Sequence, residues 1–171
     1  MEEFWNIVHF FTYKFLCKAS NVLDKISPAT LFLKIPAIKK LLIKRGGSIE
    51  MINDNANNVV NNQFMGVNIW FAGLIMVSLL FIPCFALNLY YIAYIYKPKN
   101  FESFVLLIVI YTAFSSLVNY YLLLHKNKFL KYFKKFKKQT HEWNVKWAWI
   151  SLVTILLPYL MLIGSFYALS K

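Results

Sequence analysis

Few side chains in this sequence carry chemistry, and they do not converge. His125, His141 and Glu142 come nearest to a catalytic or metal-binding group, two imidazoles and a carboxylate within one connection. A zinc hydrolase needs HExxH spacing on a helix and a structural zinc site needs cysteine pairs; neither occurs here. From residue 66 onward the only acidic residues are Glu102 and Glu142, and the topology expected below puts them on opposite faces, so the membrane domain has no carboxylate pair for acid–base work. Glycine-rich phosphate loops and a GxSxG elbow are also missing. The expectation is a chain without enzymatic activity, metal or cofactor. Cys17 and Cys84 fall in an amphipathic segment and in an apolar run, so free thiols are expected.

Two other groups of residues have a chemistry of their own. From Lys126 to Lys138, Phe129, Phe133 and Phe136 share one helical face while Lys126, Lys128, Lys131, Lys134, Lys135, Lys137 and Lys138 fill most of the rest. Such a helix can rest on an anionic inner leaflet, each lysine contributing on the order of 1 kcal/mol and the phenylalanines entering the headgroup boundary. Basic residues interleaved with aromatics also suit single-stranded nucleic acid, but Arg45 is the only arginine among 19 basic residues. Lysine is a hydrated point charge suited to diffuse attraction, whereas phosphate and base recognition favour arginine. Membrane lipid is therefore the expected polyanion, and nucleic acid is not.

The second group is intramembrane. Thr112, Ser115, Ser116 and Asn119 form a stripe on one apolar run, and Ser151, Thr154, Pro158 and Ser165 form another. Small and hydroxyl-bearing residues let helices approach and bond, so these are expected as helix-packing residues. The rival is a pore lined by the stripes in an oligomer. Thr112 to Asn119 rises only about 10 Å, too little to line a crossing alone.

The elements that must position these residues follow from the apolar runs. Val67–Tyr91, Phe104–Leu124 and Trp147–Leu169 contain no charged residue, and each exceeds the roughly 20 residues a helix needs to cross a hydrocarbon core. Pro83 and Pro158 predict kinks in the first and third. Trp70, Tyr90, Tyr91, Tyr120, Tyr121 and Trp147 crowd the ends, as an interfacial belt would.

Ahead of the spans, Phe4, Val8, Phe11, Phe15 and Val22 fall on one side of a helical wheel and Asn6, His9, Tyr13, Ser20 and Asn21 on the other. That predicts a helix lying in the membrane interface, with packing onto the spans or a partner as the alternative. The acidic start, Lys14 and the lack of a small-residue cleavage site argue against a signal peptide. Ser27-Pro28 predicts a second helix over Ala29–Lys44, kinked at Pro36 and ended by Gly46-Gly47. The asparagine-rich stretch Ser48–Gln63 reads as a disordered linker; alternatively, Ile49, Ile52, Ala56 and Val59 make the seam of a helical extension that meets its own copies.

The expected organisation is thus an all-α integral membrane protein, with three transmembrane helices preceded by interfacial amphipathic helices. Residues 1–45 form the interfacial region, 46–65 the linker or extension, and 66–171 the three-span domain with a basic inner loop at 125–146. A composition of 59% hydrophobic residues in 171 agrees with this. Sixteen of the 19 basic residues fall in the N-terminal part and the second connection. Three crossings put those two segments on one side, and the positive-inside rule places the N-terminus in the cytoplasm and the C-terminus outside a plasma membrane. The function expected is helix–helix association, as a homo-oligomer or with a partner membrane protein; the alternatives are an oligomeric channel or permeabilising effector and a membrane-embedded enzyme.

Overall fold

The computed structural model of the chain describes residues 1–26, 35–44, 48–94 and 101–170. Among these residues the regular structure is all helical. The main helices are α1 (Glu2–Ile26), α2 (Pro36–Lys44), α3 (Ile49–Asn61), α4 (Val67–Tyr94), α5 (Phe101–Asn119), α6 (Lys128–Phe136) and α7 (His141–Leu169). Three helical stretches are long and apolar enough to cross a membrane: Val67–Ile92, Phe104–Phe136 and His141–Leu169. The second of these contains a break. Tyr120–Leu124 widens into a π-helical turn and His125–Asn127 tightens into a 3₁₀ turn. Lys126 and Asn127 both take left-handed backbone angles, φ 57° and 52°, which separates apolar α5 from basic α6.

Helix ends follow local chemistry. The Ser48 hydroxyl accepts from Met51 N at 3.0 Å to cap α3, and the Thr140 hydroxyl does the same for α7 from Trp143 N. α7 therefore starts six residues before Trp147, and its first turns carry Glu142 and Lys146. Pro36 begins α2 instead of kinking a longer helix, the position where its missing N–H costs nothing. The other parts of that expected helix, Ser27–Lys34 and Arg45–Gly47, lie outside the described residues.

The asparagine-rich segment is a correction to the linker reading. Residues Ile49–Asn61 are helical, and a turn at 62–66 divides them from α4, so the stretch is neither a disordered linker nor a continuous extension of the first span. Asparagine is a poor helix former, but the cap and the tertiary contacts of Asn61 outweigh that preference.

The chain divides into two compact units, Met1–Thr12 with Gly73–Lys171, and Tyr13–Ala72. The core of the first contains Val8, Met76, Leu79 and Leu123, with Trp5, Ile75, Leu122 and Ile155 packed against them. Gly164 lets Tyr90 approach α7, because a Cβ there would meet the Tyr90 hydroxyl. The Ser78 and Tyr159 hydroxyls lie 3.4 Å apart and tie α4 to the same helix.

Candidate functional site

After its first turn, α1 is buried on every side from Asn6 to Tyr13. Ile7, Val8, Phe10 and Phe11 are all buried, and so are Asn6, His9 and Thr12. Phe4 and Phe15, expected to dip into lipid, are exposed. An interfacial helix would keep Asn6 and His9 in water; here they face protein, so the packing alternative describes this segment.

What α1 packs against is the basic helix. Phe129, Phe133 and Phe136 are 4%, 1% and 0% exposed, which corrects their expected place in the headgroup boundary. Their rings close on Phe10, with centroids 5.1 Å away for Phe133 and 5.7 Å for Phe136. Trp143 extends the cluster, stacked on Phe136 at 5.4 Å and tilted against Phe11 at 6.0 Å. Burying such rings is the largest apolar gain a segment of this size can make, and it is available only when the phenylalanines share one face. Around the rim, Lys128 bonds Glu2 at 2.9 Å and Lys135 bonds Glu3 at 2.7 Å. The Lys128 hydrogen bond holds the Glu2 carboxyl below its ordinary range, against a smaller opposing effect of burial. Lys126, Lys131, Lys134, Lys137 and Lys138 are exposed, so the cationic face of α6 remains open.

His9 sits inside this contact. Its ring lies 5.3 Å from Phe133 and 5.8 Å from Phe129, and neither ring nitrogen has a hydrogen-bond partner in the protein. Burial without an acceptor pushes the imidazole pKa down to about 4, so His9 is neutral at pH 7.

The stripes expected on the spans divide. Ser115, Asn119, Ser151 and Ser165 are buried, as is Pro158, whereas Thr112 and Ser116 face outward and Thr154 is half-buried. Asn119 is the joint between three helices. Its amide donates to the Met76 carbonyl at 3.1 Å and the Ser115 carbonyl at 2.9 Å, and its Oδ1 accepts from the Trp5 indole at 2.9 Å. One turn away, the Asn6 amide donates to the Leu122 carbonyl at 3.1 Å, a group the π-helical turn leaves accessible. The sequence marks Asn6 only as part of the polar side of the wheel and does not mark Trp5. The signal was Phe10, which falls on the wheel among the polar residues and marks a helix apolar on both sides. Asn88 donating to the Tyr111 hydroxyl at 3.0 Å joins α4 to α5 and was also missed.

The second unit has its own polar joint. Tyr13 donates to the Asn61 carbonyl at 2.5 Å, Asn68 donates to Asn61 Oδ1 at 2.7 Å and to the Ser20 hydroxyl at 3.0 Å, and Asn61 donates to Asn21 at 3.2 Å. Burial raises the Tyr13 phenol pKa further above its ordinary value. The asparagines that read as linker composition are therefore structural at Asn61.

The catalytic candidates stay apart in kind. His125 stacks on Tyr121 at 5.6 Å, while His141 and Glu142 are exposed on the first turn of α7. Among the described residues no three histidine, cysteine or acidic side chains gather as a metal site. Cys17 and Cys84 are free thiols. No known protein family matches the chain, and comparison with curated proteins and with solved structures finds no match.

Proposed function

We propose that this chain is a non-enzymatic multi-pass membrane protein that acts through helix–helix association, as an oligomer or as a subunit of a membrane complex. The observation that carries this reading is where the spans put their surface. Only 11% of the most apolar window of the second span and 17% of the third are buried inside the chain. Leu106, Val109, Ile110, Phe114 and Leu117 of α5 all face outward. The buried Asn119 amide is meanwhile bonded within the protein, to the Met76 and Ser115 carbonyls and the Trp5 indole. A subunit whose polar joints are internal and whose outside is apolar has helices free to meet other helices in lipid. The lysine distribution supports a plasma-membrane orientation with the N-terminus in the cytoplasm, where the open lysines of α6 meet anionic headgroups.

The test is purification in mild detergent from membranes, with mass determined by light scattering. A defined oligomer or a stoichiometric partner is expected, and a strictly monomeric, partner-free species across several detergents refutes the reading. A channel is the rival, favoured by Thr112 and Ser116 on the outer face of α5. It requires ion flux in liposomes that falls when Thr112 and Ser116 become leucine. Ser115 and Asn119 are unsuited to that test, since leucine there would disturb packing.

A further inference from the structure

The turn between α3 and α4 is built differently from an ordinary surface connection. Its two large apolar side chains, Phe64 and Met65, are 54% and 74% exposed. They immediately precede Val67, Trp70 and Phe71 of α4, which are exposed as well. In water such a run has nothing to gain, and turns normally carry polar residues there.

The amides under those side chains are taken up within the turn. Asn62 Oδ1 accepts from Phe64 N at 2.7 Å and from Met65 N at 3.2 Å. The Asn62 carbonyl accepts from Gly66 N at 2.8 Å, and the Gly66 carbonyl accepts from Trp70 N at 3.3 Å. Every amide from Phe64 to Gly66 thus has a partner supplied by the turn. A loop facing water does not need this, whereas a loop entering a poorly hydrated region does, because each unmet backbone group there costs several kcal/mol. Gly66 allows the closure: a Cβ at this position would lie 2.6 Å from Asn62 N and 2.8 Å from the Val60 carbonyl oxygen. The turn is also pinned on its flanks, since Asn61 and Asn68 bond each other and the α1 residues Tyr13, Ser20 and Asn21.

We propose that the turn at 62–66 is a membrane-surface anchor, with Phe64 and Met65 inserted at the boundary between headgroups and acyl chains where α4 enters the bilayer. The partner is lipid, and the inference rests on α4 spanning a membrane as proposed above. Continuity with the apolar start of α4 argues for lipid over a protein partner. So does the charge of the helix that the asparagine joint holds beside the turn. α1 carries Lys14 and Lys18 one helical turn apart, cations of the sign that anionic headgroups attract.

The test uses the full-length chain with Cys17→Ser and Cys84→Ser, a single Met65→Cys carrying an environment-sensitive fluorophore, reconstituted in phosphatidylcholine/phosphatidylglycerol vesicles. Asn57→Cys on exposed polar α3 serves as the aqueous control and Val153→Cys on α7 as the bilayer control. Quenching at position 65 by nitroxides attached near the lipid headgroup is expected, with iodide quenching about threefold weaker than at position 57. Phe64→Cys provides a second label if Met65→Cys does not reconstitute, with the same expectation. Iodide quenching equal to that at position 57 overturns the anchor, and so does a label shielded from both quenchers, which would mean a protein seated on the turn. If position 153 also escapes the lipid quenchers, it is the membrane-spanning reading that falls, and the anchor with it.

Discussion

Acidification should weaken the packing of α1 on α6 through a single buried imidazole. His9 is 2% exposed, faces Phe129 and Phe133, and offers two ring nitrogens with no protein partner. The ionisable groups flanking it on the two helices are Glu2, Glu3, Tyr13, Lys14, Lys128 and Tyr132, and none of them bonds the ring. Its pKa falls from 6.5 to about 4 on folding, so the unfolded chain binds a proton that the folded chain refuses between those values. Stability is therefore full above pH 6.5, declines as pH falls toward 4 and stays at its lower level below that. The complete loss is on the order of 3 kcal/mol, and roughly 2 kcal/mol of it should have appeared by pH 5. The assay is equilibrium unfolding in mixed micelles of dodecyl maltoside and SDS from pH 7.5 to 4.5, with His9→Leu as the reference. Leucine fills a similar volume, leaves no orphan nitrogen and should match or exceed the wild type by about 1 kcal/mol at pH 7. Other groups titrate in both proteins and cancel in the difference. Parallel profiles would refute the reasoning, as would a leucine variant much weaker than wild type at neutral pH, because either means the imidazole has a partner that stabilises it.

The Trp5–Asn119 bond should register in a double-mutant cycle. Asn119→Leu leaves the indole N–H without its acceptor and should cost about 2 kcal/mol, with a coupling to Trp5→Phe of about 1 kcal/mol, and additive single effects in the same unfolding assay would contradict the geometry. Gly66→Ala forces backbone against backbone and should destabilise by about 2 kcal/mol, whereas Gly73→Ala, where a Cβ meets nothing within 4 Å, should be neutral or stabilising; a reversed order would disprove the closure of the turn. At the break between α5 and α6, Lys126→Gly relieves a left-handed backbone and should stabilise by about 0.5–1 kcal/mol. Asn127→Val should destabilise there, by more than 1 kcal/mol, and equal effects at the two positions would refute the assignment.

The three long apolar helices were legible because a charge in hydrocarbon is costly, so the absence of charge over long runs is a strong mark that needs no alignment. What lay outside that mark was read less well. On α1 the wheel separated apolar from polar residues correctly, yet polar residues at a helix contact are as good as buried ones when a partner supplies bonds, and Asn6 has Leu122 to bond. Phe10 among the polar positions was the visible contradiction. The same confusion affected Phe129, Phe133 and Phe136: an aromatic face on a basic helix fits a lipid surface and a protein groove equally, and the choice depends on α1 arriving from more than 110 residues away in the chain. In Ser48–Gln63 the asparagine content points to a linker, whereas the three–four spacing of Ile49, Ile52, Ala56 and Val59 and the local Ser48 cap point to a helix.

Under the proposed association in lipid, the placement of amides makes the outer surface rely on shape. Lipid tails are as apolar as leucine, so burying Leu or Phe between two spans yields little, and contact is driven by close approach and by bonds between polar side chains, each worth about 0.6 kcal/mol on average in such settings. Here those bonds are already made inside the chain, by Asn119 to Met76 and Trp5, by Asn88 to Tyr111 and by Ser78 with Tyr159. From Phe104 to Asn119 the outward face of α5 carries the hydroxyls of Thr112 and Ser116, and Thr112 already donates to the Ile108 carbonyl at 2.8 Å. Any second chain therefore meets a face that offers packing and almost no hydrogen bonding. Association through that face should be shape-selective and sensitive to detergent, while the folded unit, held by its internal amides and the aromatic contact of α1, should survive the same detergent intact.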